Sequence, residues 1–549
     1  MLSATPSLAQ GGDAGEIASQ FTGTSCSQPC TLTPPDMGAS VGPSQVVQIL
    51  NGSYTVYSRA GNVLDSTTDS TFWQNAGVST NILSNGLSDP RIIYDPTSQR
   101  WFASEISIGG GNGTSLNQIL VAVSHDSNPL DGFSSAHFNS SPGTFGDFPT
   151  LGVTPNSVVI GTNDFSSFSG TEGLTDATGV SIFSLPKSDL VKQNPQQNPP
   201  STMNMTSFDN LPLSQGFTPE PVTNFGASGN ATVLRVLPLP PANSVTMVAS
   251  SQITGGSGPG ATLTTLGNHP ATMMYGGQPQ DGRQPSGPSI DAGDNRISSD
   301  PFQVGNNIYF AQSILPLYGS NDDIQWGILD ATTGKIEAQG LISLPNEDLL
   351  YPSIAANTNG TFIIGFNGSG PNTDISAYRD VCSATSMPGD IEWGHDSAVT
   401  ERDDWRDEDG GMSVSCAAPQ LNFAGSIPSY SLADPNNVIR WGDYSWVSVD
   451  PLDPLDFWLF QEYPTSSGSW GTVISEIEVF APEPASLLLM VTSPAGLCLL
   501  RRRHFDLRTA PPPPASHSAA SAGRGGEGQG ATRGSAFPAA IRTCEPLCH

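Results

Sequence analysis

A turn and a β-prone string lie together in Ser88-Asp89-Pro90-Arg91-Ile92-Ile93-Tyr94-Asp95-Pro96. A second string, rich in aromatic residues, follows at 100–107. Asp and Pro favour turns, whereas Ile, Tyr, Trp and Phe favour strands. The unit is therefore an Asp or aromatic turn, a short strand, a polar turn and a second strand. Similar openings occur at 146–153, 299–301, 350–354 and 442–451.

The openings are unevenly spaced, so a blade-like repeat fits only with insertions and unrecognised copies. The rest of 21–480 has the same character, with short strings of Val, Ile, Phe, Tyr and Trp between turn residues. At 45–57 two such strings flank Asn51-Gly52, which is a strong hairpin signal. We predict an all-β β-propeller of about six or seven blades, because ring closure leaves only short strand edges. A β-sandwich repeat array stays the alternative.

The charge is strongly acidic, with 50 Asp and Glu against 20 Lys and Arg and a formal net charge of −30. Binding to phosphate backbones or anionic lipids depends on Lys and Arg, so we expect no nucleic-acid partner. Gly and Pro are frequent, at 59 and 47 residues, and charged residues make up only 13% of the chain. This composition indicates a folded, loop-rich body with an acidic surface, which is compatible with secretion.

Four of the seven cysteines form two candidate disulfides. Cys26 and Cys30 are close enough in sequence to close a small loop, and Cys382 and Cys416 flank a long acidic segment. Neither pair has the four-ligand spacing of a zinc site. Disulfides at these positions require an oxidising compartment, so they predict export.

The C-terminal part carries three signals in a fixed order. Pro482-Glu483-Pro484 precedes an apolar run at 485–500, and Arg501-Arg502-Arg503 follows it. This order resembles the PEP-CTERM sorting signal. The resemblance implies processing by an exosortase-type membrane enzyme in a bacterial envelope. We interpret 481–503 as a sorting segment with a short apolar helix that contacts the membrane transiently, because the run is shorter than a full span.

Three further regions complete the predicted organisation of the chain. We interpret 1–20 as the remnant of an export signal or a flexible N-terminus, because Ser7-Leu8-Ala9 is similar to a signal cleavage site. Residues 21–480 are the predicted ectodomain. Residues 504–549 are rich in Pro, Ala, Gly, Ser and Arg, which predicts a low-complexity, disordered tail.

Two segments of the body, 89–105 and 441–463, resemble parts of bacterial secreted sialidase-like propellers. The resemblance implies a fold more than an activity. A glycosidase needs two carboxyl groups that flank one bond, and a sialidase also needs arginines for the substrate carboxylate. The candidate acids are Asp89, Asp147, Asp443 and Glu462, the candidate clamps are Arg91, Arg296, Arg379 and Arg440, and Tyr463 is a candidate nucleophile.

An Asp at the start of a repeated turn also has a simpler role, because it commonly accepts hydrogen bonds from backbone N–H groups. This alternative applies to Asp89, Asp147 and Asp443. The acidic run at 401–411 raises a second alternative, since carboxylates such as Asp404, Asp407 and Asp409 suit calcium. The same run is also typical of a solvated, mobile loop.

The pattern lacks a complete catalytic set but carries an export signal. We therefore expect a non-catalytic binding or matrix component of the cell envelope or extracellular matrix, acting through its loops on a polysaccharide. The alternative is a sialidase-like glycoside hydrolase that uses Asp89, Arg91, Arg440, Asp443, Glu462 and Tyr463.

Overall fold

Seven β-sheets surround a central channel in the computed structural model, which describes residues 14–111, 116–167, 177–192, 204–226, 230–237, 247–270, 275–316, 319–386 and 412–480. Each sheet has at least four strands, and neighbouring strands within a sheet are antiparallel apart from one short parallel pair. This arrangement is a seven-bladed β-propeller. The all-β class and the propeller predicted from the sequence are confirmed, and the blade number falls within the predicted range.

The chain enters the ring through its last blade. The first strand, β1 (Glu16–Ser25), is the outermost strand of that blade. The next three blades follow in chain order, each written from its inner strand outward. Blade 1 contains β2 (Gly38–Val41), β3 (Gln45–Leu50), β4 (Ser53–Ser58) and β5 (Val63–Thr67); blade 2 contains β6 (Leu87–Asp95), β7 (Arg100–Gly110), β8 (Asn117–Ser124) and β9 (Phe133–Asn139); blade 3 contains β10 (Phe145–Val153), β11 (Ser157–Phe165), β12 (Ala177–Pro186) and β13 (Thr206–Leu211).

The remaining blades are less regular, since blades 5 and 6 carry extra strands. Blade 4 contains β14 (Phe217–Pro221), β16 (Ala231–Val236), β17 (Met247–Thr254) and β18 (Thr262–Pro270); blade 5 contains β20 (Phe302–Val304), β21 (Asn307–Pro316), β22 (Asp323–Asp330) and β23 (Ile336–Ile342), with β15 (Thr223–Asn224) and β19 (Tyr275–Gly277) at its side; blade 6 contains β24 (Asp348–Ala356), β25 (Thr361–Gly370), β26 (Thr373–Ser386), β27 (Met412–Cys416) and β28 (Gln420–Phe423); blade 7 contains β29 (Trp446–Val449), β30 (Asp456–Ser466), β31 (Ser469–Glu478) and β1.

Helical structure is limited to short segments between strands. The helix α1 (Asp69–Asn75) is capped by Thr68, whose hydroxyl accepts a hydrogen bond from the Thr71 N–H. Its Phe72 stacks on Tyr54 of β4. The other helical segments are α2 (Thr80–Leu83), α3 (Lys187–Val191) and the 3-10 turns Pro129–Asp131 and Leu213–Gln215. No helix among the described residues is long and apolar enough to cross a membrane.

The same β-bulge interrupts the inner strand of four blades. In β6, β10, β14 and β24, the inner strand has one residue more than the second strand between two successive register pairs. In each case the X-Pro pair lies between those two register pairs. The residue before each proline has a positive φ, between 46° and 61°. Proline suits this position because a bulge leaves one residue out of the hydrogen-bonded ladder. The pairs are Asp89-Pro90, Phe148-Pro149, Thr218-Pro219 and Tyr351-Pro352.

The ring closes through β1, which pairs antiparallel with β31. Residues 16–20 are therefore part of the propeller, and the sequence-based boundary at Phe21 was placed too late. The reason is physical: β31 is the outer edge of blade 7, and a strand from the other end of the chain covers it. Thr24 extends the closure to blade 1, since its hydroxyl hydrogen-bonds to Thr55 and Tyr57.

Disulfides join Cys26 to Cys30 and Cys382 to Cys416, the two pairs inferred from the sequence. Cys382 and Cys416 also face each other across β26 and β27. Several other sequence predictions lie outside the described residues. These are the sorting motif Pro482, Glu483, Pro484, Arg501, Arg502 and Arg503, the apolar run at 485–500, the tail at 504–549 and the calcium candidates Asp404, Asp407 and Asp409.

Candidate functional site

The inner strands of the seven blades line one central channel, and they all begin at the same end of it. We call the end where they begin the upper mouth and the opposite end the lower mouth. The bulges lie at the upper mouth. Because a bulge redirects a side chain, they bring residues from distant parts of the sequence together around the axis.

A charged group, the upper cluster, lies at the upper mouth and consists of Asp36, Asp89, Asp291, Arg440 and Asp443. Arg440 joins its outer members: Nη2 lies 2.8 Å from both carboxylate oxygens of Asp443, and Nε lies 3.2 Å from Oδ2 of Asp291. The side chains of Arg440, Asp443 and Asp291 are 25%, 18% and 26% exposed. These three side chains therefore form a salt-bridged surface that solvent and ligands can reach.

The inner members of the upper cluster are buried, with Asp36 1% and Asp89 7% exposed. The Asp443 N–H donates to Oδ1 of Asp36 at 2.8 Å, and the Phe148 N–H donates to Oδ2 of Asp89 at 3.2 Å. Each carboxyl thus links two blades through a backbone N–H group. For Asp89 this N–H group lies 59 residues away in the next blade rather than in its own turn.

Burial is the main cause of unusual protonation in the upper cluster. It raises the pKa of Asp36 well above its ordinary value, and repulsion from Asp443 and Asp89 adds to the effect. Burial and Asp443 likewise raise the pKa of Asp89. Burial also raises the pKa of Asp291, although Arg440 opposes the shift. Burial and the neighbouring carboxyl groups therefore both favour the protonated form of the inner members.

Arg91 lies in the shaft of the channel and is fully buried. Its guanidinium lies between two rings, 5.0 Å from the centroid of Phe148 and 4.2 Å from that of Tyr444. Its Nη atoms lie 3.6 Å from carboxylate oxygens of Glu220 and Asp300. The structure therefore places Arg91 near the upper cluster but closes it off from the mouth.

The remaining candidate arginines already have partners. Arg296 is paired with Asp294 through two hydrogen bonds, and its guanidinium lies over Phe148 at 4.4 Å. Arg379 is buried on β26, where Nη2 donates to the Gly15 carbonyl at 3.0 Å. Arg296 thus belongs to the upper mouth, whereas Arg379 holds the N-terminal segment in place.

Glu462 and Tyr463 lie on β30, the second strand of blade 7. Glu462 is buried, burial raises its pKa well above the ordinary value, and it accepts a hydrogen bond from the Gly442 N–H at 3.1 Å. Tyr463 contacts Phe423, with ring centroids 4.5 Å apart. Asp147 lies on β10 and contributes to the charge around Arg296. The structure therefore brings Asp89, Arg440 and Asp443 together. Glu462 holds the Gly442 backbone next to Asp443, and Tyr463 packs on blade 6.

Two members of the upper cluster were missed by the sequence analysis. Asp36 precedes β2 and is followed by Met37 rather than by a proline, and Asp291 lies in the long connection between β19 and β20. Tyr351 was part of a recognised opening, yet its role was not. Its hydroxyl donates to the Asp291 carbonyl at 2.9 Å. The X-Pro pair that four of the inner strands share is the signal that could have identified Tyr351.

A second carboxylate group lies on blade 7. Carboxylate oxygens of Asp450, Asp456 and Glu476 lie within 4.8 Å of one another. Arg59 forms a salt bridge with Asp450, and the Trp458 indole N–H donates to the same carboxylate at 2.9 Å. These contacts give Asp450 a structural role between blades 1 and 7.

The chain was compared with known protein families, curated proteins and solved structures. No protein-family model and no curated protein match the chain. The chain is similar to a solved protein of unknown function from Dyadobacter fermentans, at 7% identity and a TM-score of 0.37, covering 85% of this chain and 100% of the other. It is similar to Drosophila Semaphorin 1b, extracellular domains 1–2, at 6% identity and a TM-score of 0.39, covering 85% and 88%. It is also similar to the Penicillium chrysogenum alpha-L-arabinanase complexed with arabinobiose, at 12% identity and a TM-score of 0.34, covering 65% and 97%. At these scores the propeller assignment depends on the strand order of this chain.

Proposed function

We propose that this chain is an exported, non-catalytic propeller that binds an extracellular polysaccharide at the upper mouth. The observation that carries the proposal is the position of Arg440, held between Asp291 and Asp443 at a partly exposed site of the upper mouth. Fixed donors and acceptors at a rigid mouth suit the hydroxyl groups of a sugar. A net charge of −30 disfavours polyanions, so a neutral polysaccharide is the expected ligand class.

The contacts of the carboxyl groups support binding without turnover. Asp36 and Asp89 accept hydrogen bonds from backbone N–H groups in the interior, and Asp291 and Asp443 share one salt-bridge partner, Arg440. A glycosidase needs one carboxyl group as an acid and another as a nucleophile or base. Each carboxyl group of the upper cluster already has a structural partner.

Neutral polysaccharides test this proposal directly. In affinity electrophoresis with dextran, arabinan and galactan, we expect at least one gel to retard the full-length protein. Arg440→Gln should weaken that retardation about tenfold or more, because it removes the charged donor at the centre of the site. Lys335→Gln is the matched control, since it removes the same charge from an exposed turn between β22 and β23. Equal retardation of both variants, or no retardation of the unaltered protein in any of the three gels, would overturn the proposal.

A second candidate, glycoside hydrolysis, is favoured by one observation. Asp291 and Asp443 lie on either side of a single guanidinium, and burial raises the pKa of Asp291, as a general acid requires. Asp443 would then act as nucleophile or base. Release of reducing ends from any of the three polysaccharides, abolished by Asp443→Asn, would replace the binding proposal with this one.

We also propose that the protein is sorted to the bacterial envelope and processed there by an exosortase-type enzyme. The support is the order of Pro482-Glu483-Pro484, apolar run and Arg501-Arg502-Arg503, together with two disulfides that suit an oxidising compartment. Mass spectrometry of the envelope-associated protein should find a C-terminus near the Pro-Glu-Pro motif. Replacing Pro482 and Pro484 with Ala should leave the chain unprocessed. An intact C-terminus in the unaltered, envelope-associated protein would contradict the sorting proposal.

A further inference from the structure

A cavity of about 340 Å³ opens at the lower mouth, at the opposite end of the channel from the upper cluster. It is formed where the inner strands of blades 1, 2, 5, 6 and 7 end, together with β15. Its walls are mainly apolar and include Ile93, Phe225, Phe302, Ile354 and Trp446. This volume is at the lower end of the range for small-molecule sites, so the cavity suits a small and mostly apolar ligand.

One charged side chain of the shaft lines this cavity. Asp300 is 8% exposed, and the Thr223 hydroxyl donates to its Oδ2 at 3.2 Å. Oδ1 has no hydrogen-bond partner among the described residues. The nearest cation is Arg91, whose Nη1 lies 3.6 Å away, which is longer than a hydrogen bond. Oδ1 thus has an ion-pair contact but no hydrogen bond, so its capacity to accept one is unused, and a ligand that donates to this carboxyl group gains an interaction that the free protein lacks.

The charges around Asp300 are unbalanced. Of the cations that the structure describes, Arg91 is the one in contact with two buried acids, Glu220 and Asp300. Arg296 also acts on Glu220, but it is itself paired with Asp294. Asp450 at the cavity wall is paired with Arg59. If both shaft acids ionise, one negative charge has no counterpart.

The shaft relieves this imbalance by protonation of its acids. Burial raises the pKa of Asp300 to about 8 and that of Glu220 to about 8, although Arg91 opposes both shifts. A bound cation would supply the missing positive charge and allow Asp300 to ionise.

From the cavity, its apolar walls and the Asp300 carboxyl group that lines it, we infer that the lower mouth binds a small organic ammonium ion with an apolar body. The ammonium group lies against Asp300, and the hydrocarbon part contacts walls such as Phe302 and Trp446. On binding, the Asp300 carboxyl releases its proton to solvent, and the ammonium–carboxylate pair replaces it. The site is independent of the polysaccharide site at the upper mouth.

Calorimetry with n-hexylammonium as the probe and hexan-1-ol as its uncharged counterpart tests this inference on the full-length chain. At about pH 6.5, below the pKa of Asp300, we expect saturable binding of hexylammonium with release of about one proton per ligand. Proton release is measured from the dependence of the heat on the ionisation enthalpy of the buffer. Hexan-1-ol should bind about tenfold or more weakly, because it cannot form the ion pair.

Two variants separate the ion pair from the cavity. Asp300→Asn should keep hexan-1-ol binding but lose the proton release and about tenfold or more of the hexylammonium affinity. Val304→Trp, which fills the cavity from a half-buried wall position, should remove binding of both probes while Asp300 stays in place. Urea unfolding checks that both variants fold. Their retardation in gels that contain dextran, arabinan or galactan should equal that of the unaltered protein.

Two outcomes would overturn the inference. If hexylammonium binds Asp300→Asn and the unaltered protein equally, or if no proton is released, the lower mouth is an apolar cavity without a cation site. If neither probe binds the unaltered protein saturably, the lower mouth is not a ligand site of this class. Neither outcome bears on polysaccharide binding at the upper mouth.

Discussion

Replacing Arg91 with Met is expected to lower the free energy of unfolding by about 3 to 5 kcal/mol, the usual cost of removing one partner of a buried ion pair. The change leaves Glu220 and Asp300 buried without their cation. It also removes the contacts of the guanidinium with the rings of Phe148 and Tyr444. Urea unfolding at constant pH, followed by tryptophan fluorescence, measures the loss.

The loss should depend on pH in a defined direction. In the folded protein the pKa values of Glu220 and Asp300 are raised to about 8, above the values of about 4 expected in the unfolded chain. Such groups contribute stability below pH 4, and the contribution is lost as the pH rises through 8. Without Arg91 their folded pKa values rise further. The deficit of Arg91→Met should therefore be smallest near pH 5 and grow towards pH 9.

Two comparisons separate charge from packing. Arg440→Met removes a partly exposed arginine from its carboxylates and should cost only about 0 to 1 kcal/mol. Adding Glu220→Gln to Arg91→Met removes one of the unpaired acids, so it should recover part of the loss at pH 9. A deficit that stays the same from pH 5 to pH 9 would mean that the guanidinium acts through packing alone.

The fold was predictable because its repeated element has a local cause. A turn with a proline, then a β-prone string, marks the bulged inner strands at Asp89-Pro90, Phe148-Pro149 and Tyr351-Pro352. The pattern varies elsewhere, since Thr218-Pro219 carries the same bulge with Thr in place of the Asp or aromatic residue directly before the proline. The closing strand Glu16–Ser25 was missed, because its partner β31 lies at the far end of the chain.

The upper cluster was predictable only where its members belong to one short segment. Arg440 and Asp443 are three residues apart, and their pairing needs no knowledge of the ring. Asp291 and Asp36 join them through loop geometry and blade order, which local patterns do not encode. The same limit explains Tyr463, which is next to Glu462 in sequence but faces Phe423, because successive residues of a strand point to opposite faces.

Deleting residues 1–25 should destabilise the whole propeller by roughly 5 kcal/mol or more, because β1 forms seven residue pairs with β31 and a net hydrogen bond contributes about 1 kcal/mol. The deletion also removes the contacts of Phe21 and Thr24 with Tyr57 of blade 1. Blade 7 then loses both its outer strand and its connection to blade 1. Urea unfolding and light scattering measure the loss of stability and any association through the uncovered edge.

A peptide of residues 14–25, added in trans, distinguishes loss of the strand from general damage. If β31 keeps its shape, the peptide should pair with its open edge, raise the unfolding midpoint and reduce association. A peptide with Phe21→Asp and Thr24→Asp is the matched control, since it keeps the backbone but places charges against Tyr57. A deletion variant as stable and monomeric as the full chain would contradict closure by β1. Rescue by the first peptide alone would show that closure requires the side-chain contacts with blade 1 as well as the hydrogen bonds to blade 7.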